Sequence, residues 1–366
     1  MKKKLRVGLL FGGRSAEHEV SLASARNIDA AIDRSRYDVL LICIDKGGKW
    51  GLVDDPAFFE SFSPGTTPSL TEVGGALSVS PCPSEGGFLF DQQGKCVGSL
   101  DVIFPVLHGT FGEDGTLQGL LALSRIPFVG SGVLASAASM DKDVMKRLLR
   151  EACIPTPRFA VFGFREKSSI DFRAVRETLG LPLFVKPANL GSSVGIHKAK
   201  NEQEFRSAVE EAFLYDSKIV IEEFIEGREI ECSVLGNEAP TASLPGEVIP
   251  KHEFYSYDAK YVDEEGAVLQ VPAELSESEK MKVQELAVKS FRTLCCEGMA
   301  RVDFFLRADG QVLVNELNTL PGFTSISMYP KLWEASGLSQ TALIDRLIQL
   351  AIERAQREKR LRRTYV

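Results

Sequence analysis

At 366 residues, with 44% hydrophobic and 25% charged side chains, the chain has ordinary globular composition and enough length for two or three domains. A formal charge of -7 and a pI near 5.4 argue against a nucleic-acid partner. No apolar run approaches a membrane span, and the basic start Met1 to Lys4 leads into a short stretch cut off by Gly12 and Gly13, so no membrane segment or export signal is expected and a cytoplasmic location is.

In chain order, residues 5–11 form an apolar run, Gly12 and Gly13 a turn, and residues 21–32 an amphipathic stretch, which reads as strand, turn and helix. A second apolar run at 37–45 completes a β-α-β unit, and 102–107 adds a buried strand ending at His108-Gly109. The first part is therefore expected to be parallel α/β. Between about 54 and 98 Pro, Ser and Gly are frequent, and beyond a small hairpin near 88–97 the segment reads as a peripheral excursion. A helix over 141–152 stops before Ile154-Pro155-Thr156-Pro157, a stiff connector. From 158 to 235 the order is strand, helix (169–179), strand (183–185), glycine loop, short strand, helix (202–213) and strand (219–223), a compact α+β lobe. The remainder holds a polar aromatic loop (250–265), a long helix (277–296), a hairpin and a final helix from 339. The expected domains are 1–139, 140–232 and 233–366. The tail 353–363 carries six Lys or Arg against two Glu and reads as a solvated last helical turn. Seven cysteines without C-x-x-C spacing suit reduced thiols and no disulfides.

The hairpin carries the most chemistry. Residues 300–306 and 311–317 alternate and are rich in Val, Leu and Phe, and Asp309-Gly310 favours a two-residue turn between them. If Ala308 pairs with Gln311, Asp303 lies opposite Glu316 and Arg301 opposite Asn318, all four on one face. Two carboxylates about 4 Å apart repel by roughly 4 kcal/mol at an effective dielectric near 20, so a cation between them is expected. Hard oxygens from Asp303, Glu316 and Asn318 suit magnesium and substrate phosphates. The plain alternative is an exposed hairpin whose acids pair with Arg301.

Other segments add weaker signals. No Walker-type loop is present, since Gly191 and Gly195 enclose three residues and no Lys-Ser or Lys-Thr follows. Lys186 ends a buried strand before the 188–195 loop, where backbone N–H groups, Ser192 and Ser193 could cradle a polyphosphate, or the loop could be an ordinary turn. Lys142 starts a helix, whose N-terminus favours phosphate. Glu222, Glu223, Phe224 and Ile225 end an apolar strand before Glu229 and read as an adenine hinge or as a mere connector. His108 and Glu17 lie at the carboxyl edge of the parallel sheet, where ligands of open α/β sheets gather, although either could be structural.

The order of these motifs decides more than any one of them. Residues 11–21 (FGGRSAEHEVS), His108-Gly109 with Gly112 to Gly115, Lys186-Pro187 with Gly191 to Gly195, Tyr257 to Tyr261, and Asn315 to Gly322 together resemble the D-alanine:D-alanine ligase family of the ATP-grasp superfamily, over nearly the whole chain. The 54–98 segment resembles the longer bacterial form. The resemblance implies a three-lobed ATP-grasp architecture, α/β and α+β, with an N-terminal parallel α/β domain. It implies ATP, two Mg2+ ions with Mn2+ able to substitute, two molecules of D-alanine as substrates, and a homodimer. It places Glu17 on the ammonium of the first D-alanine with His108 beside it, and Ser192 and Tyr261 in a closing hydrogen-bonded contact. Arg301 and the Gly322 N–H would face the acyl oxyanion, and Ser327 with Met328 the second carboxylate. Lys142 and Lys186 map to phosphate, residues 222–225 to adenine, Glu229 to ribose, and Ser193, Phe254, Lys260, Phe305, Asn315 and Glu316 to further nucleotide contacts. Asp303, Glu316 and Asn318 map to the metal. The Lys260-Tyr261 pattern favours an amine over D-lactate as second nucleophile. Leu190 and the aromatics Phe224 and Phe305 are mild departures from the family pattern. The rivals are an ATP-grasp ligase for another carboxylate and amine, and a catalytically idle nucleotide-binding module.

Overall fold

The computed structural model describes residues 3–53, 58–61, 77–79, 87–91, 95–191, 194–251 and 266–362. Its first sheet has the order β3-β2-β1-β7, from β1 (Leu5–Gly12), β2 (Tyr37–Ile44), β3 (Trp50–Val53) and β7 (Val102–Val106). β1 pairs in parallel with β2 and β7, while β3 turns back antiparallel on β2. Continuous apolar sequence makes β1 and β7 buried strands, as parallel sheets covered on both faces require. Helix α1 (His18–Ala31) starts three residues earlier than its periodicity suggests, so Glu17 stands at its N-cap. The turn feeding it needs glycine: Gly12 has φ +89°, and a Cβ there would lie 2.2 Å from the Ile44 carbonyl oxygen. The Ser21 hydroxyl ties this turn to the sheet by accepting from Gly12 N–H and donating to the Val106 carbonyl.

Within the 54–98 segment three strands are described rather than a lone hairpin: β4 (Leu77–Val79), β5 (Gly87–Asp91) and β6 (Cys96–Leu100) form an antiparallel sheet. Helices α2 (Thr116–Leu123), α3 (Val133–Met140) and α4 (Lys142–Glu151) follow. Asp141 caps α4 by accepting from the N–H groups of Asp143 and Val144.

The second sheet, β10-β9-β11-β8, is antiparallel and comprises β8 (Phe159–Gly163), β9 (Leu183–Pro187), β10 (His197–Ala199) and β11 (Lys218–Glu223), with α5 (Phe172–Leu179) and α6 (Glu202–Tyr215) packed on it. The third contains β12 (Arg228–Gly236), β13 (Thr241–Ala242), β14 (Gly246–Pro250), β15 (Ala267–Gln270), β16 (Gly298–Leu306) and β17 (Val312–Asn318), in the order β15-β14-β12-β16-β17 with β13 beside β12.

Core packing cuts across the expected domain limits. β12 pairs with β16 from Arg228 to Gly236, so a division between 232 and 233 runs through a strand of the third sheet. Met145 and Leu149 of α4 pack with Cys232, Val302 and Phe304 of that sheet, whereas the second sheet's own core runs from Ile170 to Ile221. The final helix, Gln340–Lys359, shares a core with β1 and α1 through Ile344, Leu347 and Ile348. Its end is not a wholly solvated turn: Arg354 is buried and donates to the carbonyls of Phe128 and Gly130. Five cysteines (43, 153, 232, 295 and 296) are free among the described residues; Cys43, Cys232 and Cys296 are buried, and Cys153 and Cys295 are exposed. No described helix is long and apolar enough to cross a membrane.

Candidate active site

The β16–β17 hairpin reaches the expected pairing by an unexpected route. Arg301 lies opposite Asn318 and Asp303 opposite Glu316. The turn, however, is not the two-residue one that Asp309-Gly310 suggests. Arg307 N–H donates to the Gln311 carbonyl at 2.9 Å, closing a loop over residues 308–310 with Gly310 at φ +81°. That geometry is the three-residue hairpin ending in a left-handed glycine. It shifts the register by one, pairing Leu306 with Val312 and Phe304 with Val314. Continued unbroken, this register would set Asp303 opposite Asn315. A β-bulge between Asp303 and Phe304 leaves Asn315 as the extra residue, and the two shifts cancel. The bulge is anchored from outside: Val314 N–H donates to the Pro155 carbonyl at 2.8 Å, and Lys146 Nζ to the Asn315 carbonyl at 3.3 Å. Val302, Phe304, Val314 and Leu317 fill the core on one face, and Arg301, Asp303, Glu316 and Asn318 line a cavity on the other.

Protein cations hold both acids. Arg301 clasps Asp303 with two bonds of 2.7 Å, and its Nε also lies 2.9 Å from Glu231 Oε2. Asn318 Nδ2 donates to Asp303 at 3.1 Å, and Glu316 Oε2 lies 4.0 Å from Lys142 Nζ. The plain alternative is thus half right for Asp303, but the face lines a cavity rather than open surface. Among the described residues no group of three or more His, Cys, Asp or Glu side chains is gathered as a metal site. The donors suit a hard cation. Asn315 supplies a buried Oδ1 without a hydrogen-bond partner beside the two carboxylates.

From the N-terminal lobe, Glu17, His108 and Glu113 enter the same cavity of about 240 Å³. His108 spans two lobes, with Nδ1 3.0 Å from the Leu320 carbonyl and Nε2 3.3 Å from Ser24 Oγ. Burial pushes its imidazole toward the neutral form, against the pull of Glu17. Glu113 was not among the expected site residues. It accepts from Gly109 N–H at 2.9 Å, and burial, then the Glu17 charge, push its carboxyl up to about 8. Its signal was its place in the Gly112 to Gly115 motif, just beyond His108.

The loop after β17 closes the cavity. Gly322 fits because a Cβ there would stand 2.7 Å from Ser327 Oγ. Phe323 N–H donates to Ser24 Oγ at 3.1 Å, and its carbonyl accepts from Asn27. Ser327 accepts from Thr324 N–H at 2.9 Å and precedes the helix Met328–Ala335. Met328 is buried against Val248 and Leu332 while lining the cavity.

A second cavity, of about 440 Å³, lies between the second and third sheets and is lined by Lys142, Phe184, Lys186, residues 222–229, Phe305, Asn315 and Glu316. Lys186 projects from β9 and contacts Glu222 Oε2 at 2.8 Å. Lys142 donates to the Leu190 carbonyl at 2.5 Å. Glu223 turns its carboxylate to the backbone and guanidinium of Arg158, which leaves only backbone at that hinge position. Phe224 stands beside Phe184 under Lys198, and Ile225 is buried. Glu229, Phe305, Asn315 and Glu316 border both cavities. Lys146 and Glu231 were also not anticipated, because nothing local distinguishes them from other charged residues of an amphipathic helix or a strand. Ser192, Ser193, Phe254, Lys260 and Tyr261 lie outside the described residues.

Two family profiles match this chain: "D-ala D-ala ligase N-terminus" over residues 6–131 and "D-ala D-ala ligase C-terminus" over residues 148–349. The D-alanine–D-alanine ligase of Oceanobacillus iheyensis is 53% identical over 99% of this chain and 98% of its own. The chain belongs to the D-alanine–D-alanine ligase family. Ligase A of Escherichia coli K12 is 51% identical, covering 99% of this chain and all of its own. Among solved ligases, that of Coxiella burnetii superimposes with a TM-score of 0.84 at 41% identity, covering 97% of both chains. A D-Ala:D-Ser ligase of Enterococcus faecalis gives the same TM-score at 34% identity, covering 95% of this chain and all of its own.

Proposed function

We propose that the carboxylate of one D-alanine attacks the γ-phosphate of ATP, expelling ADP to form an acylphosphate, and that the amine of a second D-alanine then displaces phosphate to give D-alanyl-D-alanine. By its family the protein is an ATP-dependent D-alanine–D-alanine ligase that supplies a peptidoglycan precursor. The observation that carries the finer reading is the junction: Asn315 and Glu316 border both cavities, so nucleotide in one and amino acids in the other would meet at the acidic edge.

In this reading Lys142 and Lys186 hold phosphates, the backbone of residues 222–225 receives adenine, and Glu229 binds ribose, with Phe305 and Asn315 along that wall. Ser193, Phe254 and Lys260 are assigned to the nucleotide from the family pattern alone. Asp303, Glu316 and Asn318 would hold two magnesium ions, with manganese able to substitute, and such ions when bound offset the repulsion between carboxylate and phosphate. Glu17 takes the ammonium of the first D-alanine beside His108. Arg301 and the Gly322 N–H meet the oxyanion that develops as the amine adds, and Ser327 with Met328 receives the second carboxylate. Ser192 and Tyr261 close over the site, which keeps water from the acylphosphate. Three lobes, a homodimer and a cytoplasmic location complete the proposal.

The test is phosphate release from ATP and Mg2+ with D-alanine, against L-alanine, and with D-lactate or D-serine as second substrate. Release should require D-alanine, favour a second D-alanine, stop with EDTA and return with Mg2+ or Mn2+. Release indifferent to D-alanine would sink the reading.

A further inference from the structure

Behind the second cavity lies a buried row of charges. Lys146 stands one turn after Lys142 on α4, is wholly buried, and has its Nζ 3.3 Å from Glu222 Oε1 and 3.3 Å from the Asn315 carbonyl. The other oxygen of Glu222 meets Lys186 at 2.8 Å. Two lysines thus share one carboxylate, and of the three groups Lys186 and Glu222 border the cavity while Lys146 stands behind them. A fully buried lysine is rare, and it persists only where its charge is paired. Burial raises the Glu222 carboxyl, but the two ammonium groups override it and hold it down at about 2, so Glu222 is an anion with two claimants.

We propose that Lys146 is a positioning residue for the nucleotide: it neutralises Glu222 so that Lys186 keeps its charge for a polyphosphate. The inference rests on the second cavity's being the ATP site. Without Lys146, Glu222 pairs with Lys186 alone, and the lysine's attraction for phosphate is cancelled from behind.

Calorimetric titration of the full-length protein with ATP and Mg2+, without D-alanine, tests this. Lys146→Met should raise the Kd for ATP at least tenfold and leave the KM for D-alanine at saturating ATP within twofold. Adding Glu222→Gln to Lys146→Met removes the stranded anion and should bring the Kd back to within threefold of the parent. A purely structural role for Lys146 predicts no such rescue. Parent-like ATP binding by Lys146→Met, or a folded double variant as weak as the single one, overturns the inference. Should the single variant fail to fold, Lys146→Gln with Glu222→Gln decides: near-parental Kd supports the inference and a tenfold loss ends it. A parent that binds no ATP would instead remove the site reading, and this inference with it.

Discussion

At the scale of single residues, the site depends on charges whose partners are specified by geometry. Arg301 serves Asp303 and Glu231 at once with a planar fork, and lysine, a compact point charge, cannot reproduce that. Arg301→Lys should lower kcat about a hundredfold, the scale of a lost oxyanion donor, with a much smaller change in the KM for ATP, both read from steady-state kinetics. Glu113 makes a pH prediction. Below its ordinary value of 4.5 the carboxyl is protonated in both folded and unfolded chains. As pH rises from there through about 8, the folded carboxyl keeps a proton that the unfolded one has released, so stability is lost across that window. Glu113→Gln removes this slope. Its melting temperature, relative to the parent, should climb between about pH 5 and pH 8 and then level off. A constant difference across the series would contradict the buried neutral carboxyl.

The β16–β17 element teaches how a register is reached. The alternation of residues 300–306 and 311–317 was legible, and so was the face on which Arg301, Asp303, Glu316 and Asn318 fall. The bulge was not, because its anchors, Lys146 and the Pro155 carbonyl, come from distant parts of the chain. Nor was the turn, since Asp-Gly suits both a two-residue loop and the end of a three-residue one. Gly310 stands at φ +81° with nothing near its missing Cβ. Gly310→Ala should therefore cost only backbone strain, about 1 kcal/mol by denaturant titration, with kcat unchanged. Gly12→Ala makes the contrast. Its Cβ would stand 2.2 Å from the Ile44 carbonyl oxygen, and no shift of a flexible side chain relieves that. The first variant should be soluble and active, and the second severely destabilised.

For the whole molecule, the joints between lobes matter as much as the lobes. Ser24, Asn27 and His108 of the first lobe hold the 320–323 backbone of the third, and thereby orient the Gly322 N–H assigned to the oxyanion. Ser24→Ala should raise the KM for D-alanine severalfold and leave the KM for ATP within twofold. The final helix is another joint: Arg354→Ala would leave the Phe128 and Gly130 carbonyls without donors, a cost of about 2 kcal/mol or more in unfolding free energy. The expected lobe limits missed these joints because core sharing between α4 and the third sheet, and between the last helix and α1, is a property of packing.

Read alone, the amino-acid order determined whatever depends on neighbours along the chain: apolar runs that become strands, the Gly12-Gly13 turn, and the alternation that puts acids and amide on one face. The tertiary structure alone decided which distant charges meet. Lys146 on Glu222, Arg301 on Glu231, Arg354 on two carbonyls and the anchoring of Asn315 join elements far apart in sequence. Burial is what gives those contacts their strength, and burial is settled only when the lobes close on one another.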